Sequence, residues 1–371
     1  MKTVKAVAPY IYEGGINFKH KPYEAWVKLG GQVASAHYPP RWLHGLAFRY
    51  EIPEWVQKGS CAPVGAQASK LGSSRFASLS KFKSLCWSRF FNCQFLRSSS
   101  AQASRARRSI VNSRNEARLR FVQPWTIEFD TFPDYALYEV IPFFWDVWPE
   151  NFEKTFAWLK KHNTKTAIFT SSQVAEMVRS RIPEMNVLSV TEGIDVETYS
   201  EGKLLKDREI DFLEYGREID HIVKYSISDK IRYMRGKKEG KPIFSQQELI
   251  ENLANSKVVA AYTKKWTNPE QAGDIDTLTQ RYWECMLSGC IMIGHAPQEL
   301  VDLVGYNPVI EIDREHPNEQ LQNVLTNIAD YQDLADRNRD SAIKYGDWKY
   351  SMQKVMNFLQ DKGYKNIISY C

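Results

Sequence analysis

The sequence predicts a two-domain α/β protein in which each half is a parallel sheet covered by helices on both faces. Three observations carry that expectation. The chain has 371 residues, too many for one ordinary core and suited to two domains of ~100–200 residues each. Hydrophobic residues make up 43% and charged residues 25%, which excludes a mainly disordered, collagen-like or coiled-coil chain. Short apolar runs alternate with stretches of helical period, and the alternation restarts after a polar break near the middle.

Taken in order, residues 3–8 read as a strand, a turn follows at Glu13-Gly14-Gly15, and residues 23–29 read as a helix. Residues 32–36 form a second strand. Residues 136–144 are strand-like, and Pro149 then opens a helix with Phe152, Phe156 and Leu159 at spacings of four and three. Residues 166–169 are a short strand, Ser171 or Ser172 can cap the helix carrying Val174 and Val178, and 186–190 form another strand. After the polar stretch 199–203 the rhythm returns. Residues 210–215 form a strand ending in Gly216-Arg217, and Ser245-Gln246-Gln247-Glu248 has the spacing of a capping box. A strand at 258–262 precedes a helix over 279–287 that Gly289 closes, and further strands follow at 291–293 and 309–312. Gly346 ends one C-terminal helix and Asp347 caps the next, on which Trp348, Met352, Val355 and Leu359 share an apolar face. These readings place an N-terminal domain at 1–200, a C-terminal domain at 206–345 and a last helix and tail at 346–371.

Residues 55–115 break the pattern. They contain no Asp or Glu, 11 Lys or Arg and 14 Ser, and no helical or strand period persists through them. Without them the chain holds 38 basic against 44 acidic residues, a balance of −6, so the overall net charge of +5 reports this segment alone. That excludes a generally basic, nucleic-acid-binding protein. The segment reads as a Ser/Arg-rich insert, as a basic arm for an anionic partner, or as a stretch translated out of frame between in-frame flanks; the residues leave all three open. The aromatic and aliphatic residues from Phe82 to Leu96 suggest a short helix over 80–97.

No run approaches the ~18 apolar residues of a membrane span, and Met1-Lys2-Thr3-Val4-Lys5 lacks an apolar signal core. A cytoplasmic protein is expected. Cys61, Cys86, Cys93, Cys285, Cys290 and Cys371 have no paired metal-ligand spacing and are too dilute for a disulfide framework; Cys285 and Cys290 read as small core residues. No metal constellation stands out, and no cofactor is expected.

Chemistry concentrates in Asp276-Thr277-Leu278-Thr279-Gln280-Arg281-Tyr282-Trp283-Glu284 and the following Cys285-Met286-Leu287-Ser288-Gly289. A polar loop here meets a helix N-terminus at Thr279, whose unpaired N–H groups and partial positive charge suit a diphosphate. Arg281 adds a forked donor for phosphate oxygens. Asp276 and Glu284 lie eight apart and can accept hydrogen bonds from hydroxyls at two ends of a nucleotide sugar. Glu13-Gly14-Gly15 is a second place where backbone can approach a ligand.

This stretch resembles the donor-binding signature of GT-B glycosyltransferases of the large group 1, retaining class. Asp276 falls on the first acidic position, Glu284 on the second and Gly289 on the helix-ending glycine; Thr279 to Glu284 is also similar to the spore-maturation-like branch. The resemblance implies two Rossmann-like domains with the last helix crossing back to the first domain. It implies a sugar contact for Asp276 and a ribose contact for Glu284. Arg217, with Lys224 as a basic companion, resembles the donor-phosphate position, and Asp146, after Pro142-Phe143-Phe144-Trp145, the polar residue facing the sugar. Val190-Thr191-Glu192-Gly193-Ile194-Asp195 looks like the turn into the interdomain linker, and His295 falls near the implied cleft. Asp276 replaces the commoner Glu, and Leu278-Thr279 replaces Phe-Gly. The resemblance covers residues 136–362, extends to 1–50 by pattern, and omits 55–115.

The expected reaction is transfer from a nucleotide-diphosphate sugar to a glycan or lipid-linked acceptor, with retention, no nucleic-acid partner and room for peripheral membrane contact. The rival is a catalytically impaired binding or scaffolding protein on the same fold, favoured by the missing Phe-Gly pair and the acid-free segment.

Overall fold

Two all-parallel sheets, each fed by helical crossovers, build the molecule. The computed structural model describes residues 2–9, 19–34, 115–131, 134–217, 219–226, 229, 231–238, 241–242, 244–365 and 367–368. Gly14, Gly15 and the helix expected over 80–97 lie outside them.

The first half comprises β1 (Thr3–Val7), α1 (His20–Lys28), β2 (Val33–Ala34), β3 (Glu116–Val122), β4 (Glu139–Phe144), α2 (Phe152–Lys161), β5 (Thr166–Phe169), α3 (Ser172–Arg181) and β6 (Asn186–Ser189). Its strands lie in the order β2-β1-β3-β4-β5-β6. The second half comprises β7 (Ile210–Glu214), β8 (Tyr233–Arg235), α4 (Gln246–Ala254), β9 (Ser256–Ala261), α5 (Gln280–Leu287), β10 (Ile291–Gly294), α6 (Gln298–Val304), β11 (Val309–Glu311), α7 (Pro317–Thr326) and α8 (Gln332–Tyr345). Its strands lie in the order β11-β10-β9-β7-β8. In both sheets the apolar runs of the central strands are buried on both faces, as parallel sheets require.

β3, absent from the sequence reading, is a central strand between β1 and β4. Its Glu-Ala-Arg-Leu-Arg-Phe-Val pattern places Ala117, Leu119 and Phe121 in the core and also buries Arg118 and Arg120. Burial of those charges is tolerated because each has a partner. Arg120 Nε and Nη2 meet Asp134 Oδ2 at 2.7 and 2.6 Å. Arg118 meets Glu116 at 2.8 Å and lies 4.1 Å over the Tyr138 ring. The strand expected from residue 136 begins at Glu139 instead. Residues Asp134–Leu137 take a helical turn, closed by Tyr138 N–H on Asp134 O at 2.7 Å, which presents the Asp134 carboxylate to Arg120.

The remaining local signals act as their chemistry dictates. Ser171 accepts from Val174 N–H, and Ser245 and Glu248 form a reciprocal capping box. Cys285 and Cys290 are free and buried. Asp347 accepts from Lys349 N–H at 2.7 Å and opens α9 (Trp348–Asp361).

α9 starts at the second half and packs on the first. Trp348, Met352, Val355 and Leu359 join Val4, Trp26 and Phe143 in the core of the first half, while Tyr350 meets Tyr345 of α8 edge-on at 5.3 Å. Its entry is pinned where Ile194 N–H donates to Gly346 O at 2.8 Å, so the two chain crossings between the halves run side by side. The final helix therefore crosses back.

Candidate functional site

Residues that follow the carboxyl ends of strands in both sheets meet between the halves, where open α/β sheets place ligands. Hydrogen bonds span the gap. Gln280 Nε2 donates to Gly193 O at 3.2 Å and Trp283 Nε1 to Glu192 O at 2.8 Å. Asp276 N–H donates to Gln173 Oε1 at 2.6 Å, and Ser172 donates to Glu299 through its hydroxyl at 2.8 Å.

One corner of this cleft gathers positive charge. β7 ends at Glu214, and Gly216 follows with φ of 80°, a left-handed turn that favours glycine. The turn also needs its lack of side chain, because a Cβ would lie 1.9 Å from Arg281 Nη2. Arg281 thus packs on the backbone immediately before Arg217, with its guanidinium 5.0 Å from the Tyr215 ring centre. Burial and the neighbouring Arg281 hold Arg217 below the usual guanidinium range, while Asp146 and Glu192 pull the other way. Both cations stand at the N-terminus of α5. Thr279 occupies the N-cap without a side-chain capping bond, and the first turn holds no acidic residue.

Behind this corner, α5 is anchored by Tyr282, Trp283, Cys285, Met286 and Leu287, all buried. Glu284 is half-buried on the same helix. Its two carboxylate oxygens accept from the hydroxyls of Tyr199 at 3.0 Å and Tyr215 at 2.8 Å. Each oxygen keeps a further lone pair for a ligand hydroxyl.

Asp276 sits in a separate knot on the loop before α5. It accepts from Thr263 Oγ1 at 2.5 Å and meets His295 Nε2 at 2.8 Å. Burial opposes ionisation of Asp276, but the bonds from His295 and Thr263 win and hold its carboxyl below the usual range. The same bond raises the His295 imidazole against the opposing effect of burial, with Glu311 assisting. Glu299, in the first turn of α6, fixes the loop by accepting from Thr277 Oγ1 at 2.6 Å and from Leu278 N–H.

The first half contributes a third group. Asp146 follows β4 with φ of 53°, a left-handed backbone for a non-glycine residue, and accepts from Gln123 Nε2 at 3.3 Å. Glu192, after β6, is pushed up to about 8 by burial and by the carboxylates of Asp146 and Glu299, with Arg217 opposing. Lys264 lies 3.9 Å over the Trp148 ring, and burial lowers it against the pull of Asp146.

The structure brings Arg217, Arg281, Thr279 and Glu284 to one corner, Asp276 to the loop beside it and Asp146 to the facing wall. Lys224 stands exposed, seven residues beyond Arg217. Sequence reasoning missed Glu192, Glu299, Lys264 and the Tyr199–Tyr215 pair around Glu284. The only advance signal was position: Glu192 lies in the turn after β6, and Glu299 three residues past Ala296.

Among the described residues no helix is long and apolar enough to cross a membrane. Neither a family model nor a curated protein matches the sequence. Solved structures do match. HepE of Anabaena, in complex with UDP and glucose, superposes with a TM-score of 0.52 over 97% of this chain and 100% of that one, at 10% identity. OtsA, in its apo form, superposes with a TM-score of 0.52 over 99% and 100%, at 9% identity. At such identity the likeness speaks for architecture. The chain is a two-domain α/β protein of GT-B fold.

Proposed function

We propose that this protein transfers a sugar from a nucleotide-diphosphate sugar to an acceptor, releasing the nucleoside diphosphate. The observation that carries the reading is the juxtaposition of Arg217 and Arg281 at an α5 N-terminus with no acidic residue in its first turn. Two guanidiniums held together repel, and a diphosphate converts that repulsion into charge-assisted hydrogen bonds. The same groups stabilise the charge that develops on the leaving diphosphate as the glycosidic bond breaks. Thr279 adds its hydroxyl, and Lys224 is assigned as a further cation for the phosphates, carried over from the sequence resemblance.

Glu284, with one lone pair free on each oxygen, takes the ribose hydroxyls. Asp276 faces the transferred sugar from the second half and Asp146 from the first, beside the acceptor. Gly14 and Gly15 are assigned a backbone approach to the ligand from the first half. The UDP and glucose held by HepE support the same ligand class on this fold. Retention of configuration and a glycan or lipid-linked acceptor are carried over from the sequence resemblance.

A panel of nucleotide sugars, screened for thermal stabilisation and for hydrolysis, tests the proposal. Stabilisation with turnover of at least one donor supports it; neither response to any donor refutes it. One observation favours the impaired-binder alternative, namely that Asp276 is already engaged by Thr263 and His295. Stabilisation without turnover of any donor would select that alternative.

A further inference from the structure

Beside the Asp276–His295 pair, on the second half, opens a cavity of about 310 Å³, a volume suited to a single sugar ring. Trp266 and Ile222 are its apolar lining. The Trp266 ring lies 5.0 Å from His295, and its carbonyl meets His221 Nε2 at 3.1 Å. Such an aromatic face suits the C–H face of a pyranose. The rim is cationic. Arg314 stands 5.7 Å from the Trp266 ring centre, and Lys265 also lines the cavity. Neither forms a hydrogen bond or ion pair with a described residue. The one carboxylate in the lining, Asp276, is bonded by His295 and Thr263, and Lys265 adds to the positive field that keeps it ionised without reaching it as an ion pair. The groups left to meet a ligand are therefore an aromatic face and two permanent positive charges. A neutral hexose would leave the Arg314 charge unmatched and Lys265 with only the more distant Asp276.

We propose that this cavity holds a sugar ring bearing an anionic substituent, a carboxylate or a phosphate. The ring lies on Trp266, and Lys265 and Arg314 close on the anion. The inference deepens the glycosyl-transfer reading, and rests on it for identifying that sugar as a substrate.

The test is a ligand-observed NMR titration of the full chain with D-glucuronate, glucose 6-phosphate, glucose and inorganic phosphate. At least one charged sugar is expected to bind tenfold or more tightly than glucose, and the winner distinguishes carboxylate from phosphate. Replacing both cations, Lys265→Gln with Arg314→Gln, is expected to bring charged and neutral sugars within twofold of each other. Trp266→Leu is expected to weaken the charged sugar at least fivefold, with the melting temperature as the check on folding. Equal binding of glucose, a preference that survives the double variant, or inorganic phosphate matching glucose 6-phosphate would each overturn the proposal. No nucleotide is present in these titrations. A failure here is thus separable from failure of the donor site, which is read by nucleoside diphosphate binding at Glu284 and Arg281.

Discussion

Asp146 and Glu192 show how single residues in the cleft combine strain and charge with chemistry. A left-handed backbone costs a non-glycine residue ~1–3 kcal/mol, which the surrounding fold must absorb. Asp146→Gly removes that strain, so its stability in denaturant is expected within about 1 kcal/mol of the parent. Turnover should nevertheless be lost, which separates the side chain's chemistry from its backbone. Glu192 gives a pH signature. Its carboxyl is raised from 4.5 to about 8, so the native state keeps a proton that the unfolded chain sheds. The stability that Glu192 contributes is therefore fully present below 4.5 and is lost as pH rises toward 8. Glu192→Gln should flatten that part of the stability–pH profile, as measured by chemical denaturation across the window. His295, also raised, loses its contribution in the same direction, as pH rises through its native value. Asp276, lowered, loses its contribution as pH falls through its native value. Such roles were only partly legible in the sequence. Arg281 and Glu284 could be singled out because Arg281 falls in the first turn of a helix opening at Thr279, and Glu284 follows Asp276 by eight residues in a stretch that resembles a donor-binding signature. Glu192 and Glu299 acquire meaning only when the opposite half arrives.

At the scale of elements, the sequence announced most helices and edge-defining turns, because capping and apolar period are local signals. It did not announce β3. Glu116, Arg118 and Arg120 gave that strand the polarity of an exposed segment; Arg118 pairs with Glu116 of the strand itself, but Asp134, which pairs with Arg120, and Tyr138, whose ring lies under Arg118, come from the following turn and the approach to β4. The crossing helix was legible for the opposite reason. Trp348, Met352, Val355 and Leu359 return every three or four residues, and the structure buries all four. Leu359, fully buried in the first-half core, tests that role. Leu359→Ala is expected to cost ~2–5 kcal/mol in equilibrium unfolding through lost transfer energy and a residual cavity. A cost below ~1 kcal/mol would mean that α9 is not integral to the first half.

At the scale of the molecule, the two sheets present their carboxyl ends to one cleft, and Glu299 helps to hold them in register. Its carboxylate takes Ser172 from the first half and Thr277 from the second, so the loop carrying Asp276 is fixed to both. On the proposed function, Arg217, Arg281 and the α5 N-terminus hold the diphosphate, with Glu284 beside it for the ribose. The most direct measurement is calorimetric titration of UDP, GDP and ADP, each against its monophosphate, into the parent chain, Arg281→Ala and Glu284→Gln. At least one diphosphate is predicted to bind and to exceed its monophosphate. Each substitution should weaken that diphosphate by ~1.5–3 kcal/mol, the worth of a charge-assisted hydrogen bond. Affinities unchanged by both substitutions, in variants that keep the parent melting temperature, would mean that this corner does not hold the diphosphate.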